Sequence, residues 1–322
     1  MVPIFLLSLP RSGSTLVQRV LAGHPAISTA PEPWLLLPQV FAMKETGTWA
    51  RYGHIPAARA IREFAGRLPN GDRDYVRALR RFVLDLYGMA SGEGARYFLD
   101  KTPRYHLIAE ELPRIFPDAR LVFLWRNPLA VVASIIETWT GGRWRPDRWS
   151  LDLYEGPRNL VAAHERHRSD SCSIRYEDLI QDPATEWPKL FRFLGLGMEP
   201  SLLEAFPDIQ LTARMGDRTG AGRYRALSTE PLDKWRRVLA SPIRKRWCRD
   251  YLRTLGSEVL EGMGYDLDAL VSDLDALPSG SKQLPSDAAN GLYSWFVETR
   301  RRRAADRLAP RRTVLPGTWP PR

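Results

Sequence analysis

The chain predicts an α/β fold in which a central parallel sheet is flanked by helices and carries helical insertions. Three observations lead there. Two apolar runs, 2–7 and 119–125, have the length of buried strands. Each is followed, after a short polar stretch, by apolar residues at helical spacing. At 322 residues the chain is long enough for one large α/β domain.

The first run ends at Pro10, and Leu16, Val20 and Leu21 then form the apolar face of a helix that Gly23, His24 and Pro25 close. A strand that turns directly into a helix aims backbone N–H groups at one point, a ready site for phosphate or sulfate. Arg11, Ser12, Ser14 and Thr15 add a cation and hydroxyls to it. The loop is P-loop-like but incomplete. On the G-x-x-x-x-G-K-[ST] frame, Ser8 takes the first glycine, Gly13 the second, and Ser14 stands where the lysine belongs. Charge comes from Arg11 instead, which fits an anion with fewer charges than a triphosphate. Taken alone, the segment is also compatible with an ordinary strand–turn–helix bearing exposed polar residues.

The second run ends in Arg126, with Asn127 as N-cap and Pro128 as first helical residue. Val131, Val132, Ile135 and Ile136 continue that helix and place Ser134 on it. Arg126 and Ser134 form a candidate site for a further phosphate, because ligands of open parallel sheets bind at strand carboxyl ends. A further strand is expected over 171–176, and an amphipathic helix over 187–197 with Leu190, Phe191 and Leu194 on one face. Residues 34–98 read as mostly helical, with breaks near Pro69 to Gly71 and Ser91 to Gly94. In that stretch Trp34, Leu36, Leu37, Val40 and Phe41 either pack a core or line a pocket. The Arg- and Trp-rich loop 141–149 fits a sugar or an extended acid, or is a plain surface loop.

The first residues already belong to the first strand, so no signal peptide is expected. No apolar run reaches the 18 residues of a membrane span. Cys172 and Cys248 imply neither a disulfide framework nor a metal site. No metal is expected, since the five histidines show no ligand spacing beyond a weak pair at His164 and His167. A reducing, cytoplasmic setting follows. Residues 281–322 hold nine Lys/Arg against three Asp/Glu, a surplus of six within the chain's net +10. This gives an organisation of a catalytic-size domain over 1–278, a linker over 279–291, and a basic aromatic tail over 292–322. Such a tail can rest on an anionic membrane surface as a peripheral contact, dock as a helix, or stay solvated.

Together the two binding segments resemble the sulfotransferases that use 3′-phosphoadenosine 5′-phosphosulfate (PAPS), nearest the tyrosylprotein sulfotransferase-like and bacterial branch. The resemblance covers roughly residues 1–260 and makes 1–278 a sulfotransferase domain. It implies that Pro10 to Thr15, with Arg11, Ser12, Gly13, Ser14 and Thr15, bind the 5′-phosphosulfate, and that Arg126 and Ser134 bind the 3′-phosphate. It further implies Glu32 as general base, Lys101 as a sulfate contact, Tyr176 beside the adenosine, and Lys234, next to Trp235, closing the nucleotide site. Thr219 matches a late Ser/Thr that steadies the leaving phosphate, although Ala221 and Gly222 depart from the pattern there.

These residue types fit sulfuryl transfer, which asks a protein for positioning and charge stabilisation rather than covalent work. Each also has a plainer reading: Glu32 as a solvated loop carboxylate, Lys101 as the start of a helix, Tyr176 as core, Ser134 as a small packing residue, and Lys234 as part of an amphipathic face. The implied donor is PAPS, without metal. The implied partner is a hydroxylated acceptor: carbohydrate first, then small metabolite or lipid, then protein tyrosine, because Thr138 stands where the tyrosine enzymes carry a basic residue. No nucleic-acid partner is expected. The alternatives are a P-loop-type kinase and a non-catalytic binding module.

Overall fold

The computed structural model describes residues 1–209, 211, 226–280 and 283–291. Five strands, β1 (Val2–Ser8), β2 (Ile27–Pro31), β3 (Tyr97–Lys101), β4 (Arg120–Trp125) and β5 (Ser171–Arg175), form one sheet in the order β2-β3-β1-β4-β5. Every pairing is parallel. The first strand is thus the central one, with β3 on one edge and β4 on the other.

Both faces of β1 are buried, which explains its unbroken apolar run. Ile4 and Leu6 face the helix Ser14–Ala22 and pack with Leu16, Val17, Val20 and Leu21. Phe5 and Leu7 face the opposite layer, whose core includes Leu129, Val132, Ile135 and Ile136 of the helix Pro128–Thr140. These two helices cover opposite faces because their strands feed opposite edges of the sheet. β1 is therefore the switch point of a doubly wound sheet, where a ligand crevice is expected at the carboxyl ends.

The Pro128–Thr140 helix starts as its sequence implies. The Asn127 side chain accepts from the amides of Leu129 and Ala130, and Pro128 follows it. The helix Pro183–Phe193 buries Trp187, Leu190 and Phe191, and Leu194 just after it is buried as well.

Three expectations change. Residues 34–98 are mostly helical, with the expected breaks after Gly66 and after Met89, but a further non-helical stretch at 42–53 parts the helices Leu36–Phe41 and His54–Gly66, Asp72–Met89 follows, and β3 begins inside the segment. Leu36 and Val40 are core residues. In the 141–149 loop, Trp144 is buried under the Arg244 guanidinium, 5.2 Å from its ring centre, so it packs the core rather than facing a ligand. Finally, 284–291, within the expected linker, is helical. Its Asp287 is fully buried and takes a bidentate pair from Arg244 at 2.7 and 2.8 Å. Arg244 also donates to the carbonyls of Val238 and Gly142, both at 2.9 Å. A buried carboxylate with that partner fastens this part of the segment to the body.

Candidate functional site

The sequence-selected groups sit at the carboxyl ends of all five strands. Glu32 follows β2, Lys101 ends β3, the loop 9–13 follows β1, Arg126 follows β4, and Tyr176 follows β5. In parallel register these ends lie side by side. Pro31 pairs with Lys101, Ser8 with Leu124, and Trp125 with Arg175.

The loop after β1 is shaped by two left-handed residues, Arg11 (φ 67°) and Gly13 (φ 88°). Gly13 has no alternative, because a Cβ there would lie 2.3 Å from the Tyr176 ring. That ring is buried and stacks under the Arg126 guanidinium at 4.5 Å. Arg126 in turn donates to the Arg11 carbonyl at 2.8 Å and to the Pro231 carbonyl at 2.9 Å. Arg11 Nε donates to Ser134 Oγ at 3.3 Å. Tyr176, Arg126, Arg11 and Ser134 therefore hold one another in place around the loop.

Arg11, Arg126, Ser134, Thr138 and Lys234 line one cavity between the Pro128–Thr140 and Glu230–Val238 helices. Glu137 lines it too and meets Lys234 at 2.6 Å. Two buried polar atoms here lack a hydrogen-bond partner: Arg126 Nε in the cavity wall and Ser8 Oγ at the root of the loop. The lining sets three cations, Arg11, Arg126 and Lys234, against two carboxylates, Glu137 and Glu230, and leaves one guanidinium donor unsatisfied.

On the other flank of β1, Lys101 Nζ lies 2.7 Å from Glu32 Oε1, and both side chains are largely shielded from water. Trp34 Nε1 donates to Glu32 Oε2 at 3.4 Å. Glu32 (φ 35°) and Trp34 (φ 56°) are left-handed, and with Arg11 they are the non-glycine positive-φ residues among those described. Backbone in this region is costly and concentrates at functional sites. Asp100 is fully buried beneath the pair. Burial pushes its carboxyl above the usual carboxylate range, while the hydroxyls of Tyr87, Thr102 and Tyr105 pull it back.

Ser12 and Ser14 are buried in the loop and Thr15 is half-buried. Thr219 lies outside the described residues, as does the tail over 292–322. His106 is buried against Asp152, which Arg104 also holds. The sequence reading missed Glu137, which sits three residues after Ser134 on one helix face. It also missed the hydroxyl set around Asp100, signalled only by the spacing of Asp100, Thr102 and Tyr105. Among the described residues no group of three or more His, Cys, Asp or Glu side chains is placed to hold a metal ion, and no helix is long and apolar enough to cross a membrane.

Fold and site together show a doubly wound parallel sheet with a cation-bearing cavity and a paired carboxylate and lysine at its strand ends. The model of the sulfotransferase family matches residues 3–200, and the chain belongs to that family. That match contains every site residue selected above except Thr219 and Lys234. The chain is 30% identical over 292 residues to nodulation protein NoeE of Sinorhizobium fredii, covering 81% of this chain and 65% of that protein. It is 28% identical over 207 residues to protein-tyrosine sulfotransferase 2 of Gallus gallus, covering 62% and 53%. The chain thus spans less than two thirds of the length of these relatives. A sulfotransferase domain from the curacin biosynthetic pathway shares the fold, with a TM-score of 0.51 at 24% identity over 85% of this chain and 98% of that one.

Proposed function

We propose that the chain transfers a sulfuryl group from PAPS to an acceptor hydroxyl, with Glu32 as general base. The observation that carries this reading is the row of groups at the five strand ends: a cationic cavity on one flank of β1 and the Glu32–Lys101 pair on the other. A donor on the loop between them spans both.

The cavity suits a phosphate because Arg126 Nε in its wall is buried without a partner, and the loop after β1 suits another because Ser8 Oγ at its root is buried without one. Arg126, Ser134 and Lys234 would hold the 3′-phosphate, and the loop 10–15 the 5′-phosphosulfate, with Tyr176 beside the nucleoside and Thr219 assisting the leaving phosphate. The bound donor supplies the sulfuryl group; the protein supplies position and charge. Glu32 takes the acceptor O–H proton as the new O–S bond forms and the S–O bond to the 5′-phosphate breaks. Lys101 and Arg11 steady the negative charge on the oxygens around sulfur, the kind of preorganised stabilisation that carries such reactions.

The acceptor is a hydroxyl, with carbohydrate preferred over small metabolite or lipid, and these over protein tyrosine. A cytoplasmic setting is favoured by the two free cysteines, with peripheral membrane contact through the basic tail. Transfer of labelled sulfate from PAPS across an acceptor panel is the test. Adenosine 3′,5′-bisphosphate should raise the melting temperature more than ATP does. Glu32→Gln should lower kcat by about 10²–10⁴-fold while the bisphosphate still binds. A wild-type kcat in Glu32→Gln would give the base role to another residue.

A further inference from the structure

Beneath the Glu32–Lys101 pair lies a closed set of hydroxyls around one carboxylate. Asp100 Oδ2 accepts from Tyr87 Oη at 2.6 Å and Tyr105 Oη at 2.9 Å, and Oδ1 accepts from Thr102 Oγ1 at 2.9 Å. An ionised carboxylate can only accept, so each hydroxyl commits its single proton to Asp100. The oxygens of Thr102 and Tyr105 are then left as acceptors with a fixed direction. Both meet backbone donors of a different segment. Trp34 N–H donates to Thr102 Oγ1 at 3.4 Å, and Leu36 N–H donates to Tyr105 Oη at 3.2 Å.

Those two amides follow directly on the turn that carries Glu32. The turn holds φ values of 35° at Glu32 and 56° at Trp34, a conformation that persists only where surrounding contacts over-determine it. On its other side the turn is held by sheet pairing, with Pro31 opposite Lys101. Strand pairing before the turn and the two hydroxyls after it fix the carboxylate between them. The Tyr87 ring, stacked on Phe98 at 4.2 Å, locks the third hydroxyl.

We infer that Asp100 is a positioning residue: it orients the Thr102 and Tyr105 hydroxyls so that they anchor the Trp34 and Leu36 amides and aim Glu32 at Lys101. The catalytic consequence rests on the sulfuryl-transfer reading; the anchoring does not. Asp100 touches no reacting atom. An amide at position 100 would donate as well as accept, so one hydroxyl could no longer give its proton there and would turn, disturbing the direction in which its oxygen meets the backbone donor.

Thr102→Val keeps the shape and removes the anchor, and Thr102→Ser restores the hydroxyl. Hydrogen exchange at Trp34 should speed by about tenfold in Thr102→Val, in line with one lost hydrogen bond, and return in Thr102→Ser. kcat should fall by about tenfold or more in Thr102→Val, because a small misplacement of a reacting group is costly. The acid limb of the pH–kcat profile should move, bisphosphate affinity should stay within about twofold, and Thr102→Ser should recover the rate. Asp100→Asn should speed exchange at Trp34 or Leu36. Unchanged exchange and an unchanged pH profile in Thr102→Val overturn the inference. A wild-type protein that transfers no sulfuryl group, while its Trp34 amide responds to Thr102→Val, overturns the proposed function and upholds the anchoring.

Discussion

Replacing Gly13 by alanine challenges the anion loop at its tightest point. The added Cβ would stand 2.3 Å from Tyr176 Cδ2 and 2.4 Å from Cε2, at a φ of +88°. Two penalties follow. A left-handed L-residue costs about 1–2 kcal/mol. The overlap adds about 1–3 kcal/mol, because the ring cannot swing away: it is buried, with the Arg126 guanidinium 4.5 Å from its centre. Together they come to about 2–5 kcal/mol, a large part of the roughly 5–15 kcal/mol that holds a domain folded. In a domain of this size each kcal/mol moves Tm by about 2 °C, so the fall should be roughly 4–10 °C. Calorimetry on the wild type, Gly13→Ala, Tyr176→Ala and the double variant separates the two penalties. Removing the ring relieves the overlap but not the backbone strain, leaving a coupling of about 1–3 kcal/mol. A Gly13→Ala protein that melts with the wild type, or loses as much without the ring as with it, would refute the packing of Tyr176 on the loop.

Four further outcomes are expected. Arg126→Ala should weaken adenosine 3′,5′-bisphosphate by about 1.5–3 kcal/mol and leave a ligand without the 3′-phosphate nearly unaffected; equal losses by calorimetric titration would reassign that phosphate. Burial pushes the His164 imidazole below its ordinary 6.5, so the folded chain binds fewer protons there than the unfolded chain. That contribution to stability is whole above pH 6.5 and is lost as pH falls through the lowered value; His164→Leu should flatten the acid side of a denaturation series, and an unchanged slope counts against it. Asp287→Ala strands Arg244 in the interior and should cost about 3–5 kcal/mol. Truncation after Pro278 should lower Tm, whereas truncation after Gly291 should only weaken any binding to anionic vesicles; equal Tm values for the two truncations would deny the Arg244–Asp287 tie a structural role.

The parts of the fold that read clearly in the chain are those where local signals agree. β1 and β4 are apolar on both faces, and each turns into a helix through Pro10 or through the Asn127–Pro128 cap, so strand, turn and helix announce one another. The edge strand β2 has the sequence Ile-Ser-Thr-Ala-Pro, is only half-buried beyond Ile27, and carries no periodic signal. β3 was hidden for a different reason. Its Asp100 and Lys101 look like turn residues, yet both are buried, because three hydroxyls donate to one and Glu32 pairs with the other. Long-range partners of that kind leave no mark in a window of ten residues. The same holds for Asp287, whose surroundings of Ser, Pro and Gly suggested a linker until Arg244, 43 residues earlier, was found against it.

The place of β1 also sets the order in which the molecule can be assembled. Of the five strands the earliest in sequence is the middle one, and its neighbours are distant in sequence: Val2 pairs with Tyr97 and Ser8 with Leu124. At a synthesis rate of about 5–20 residues per second, both open edges of an apolar ribbon wait for roughly 6–25 seconds before their partners emerge. An uncovered strand is a template for pairing with other chains. Newly made protein therefore has a long exposure that the finished sheet conceals, and its yield in a cell depends on what shields Val2–Ser8 until β4 arrives.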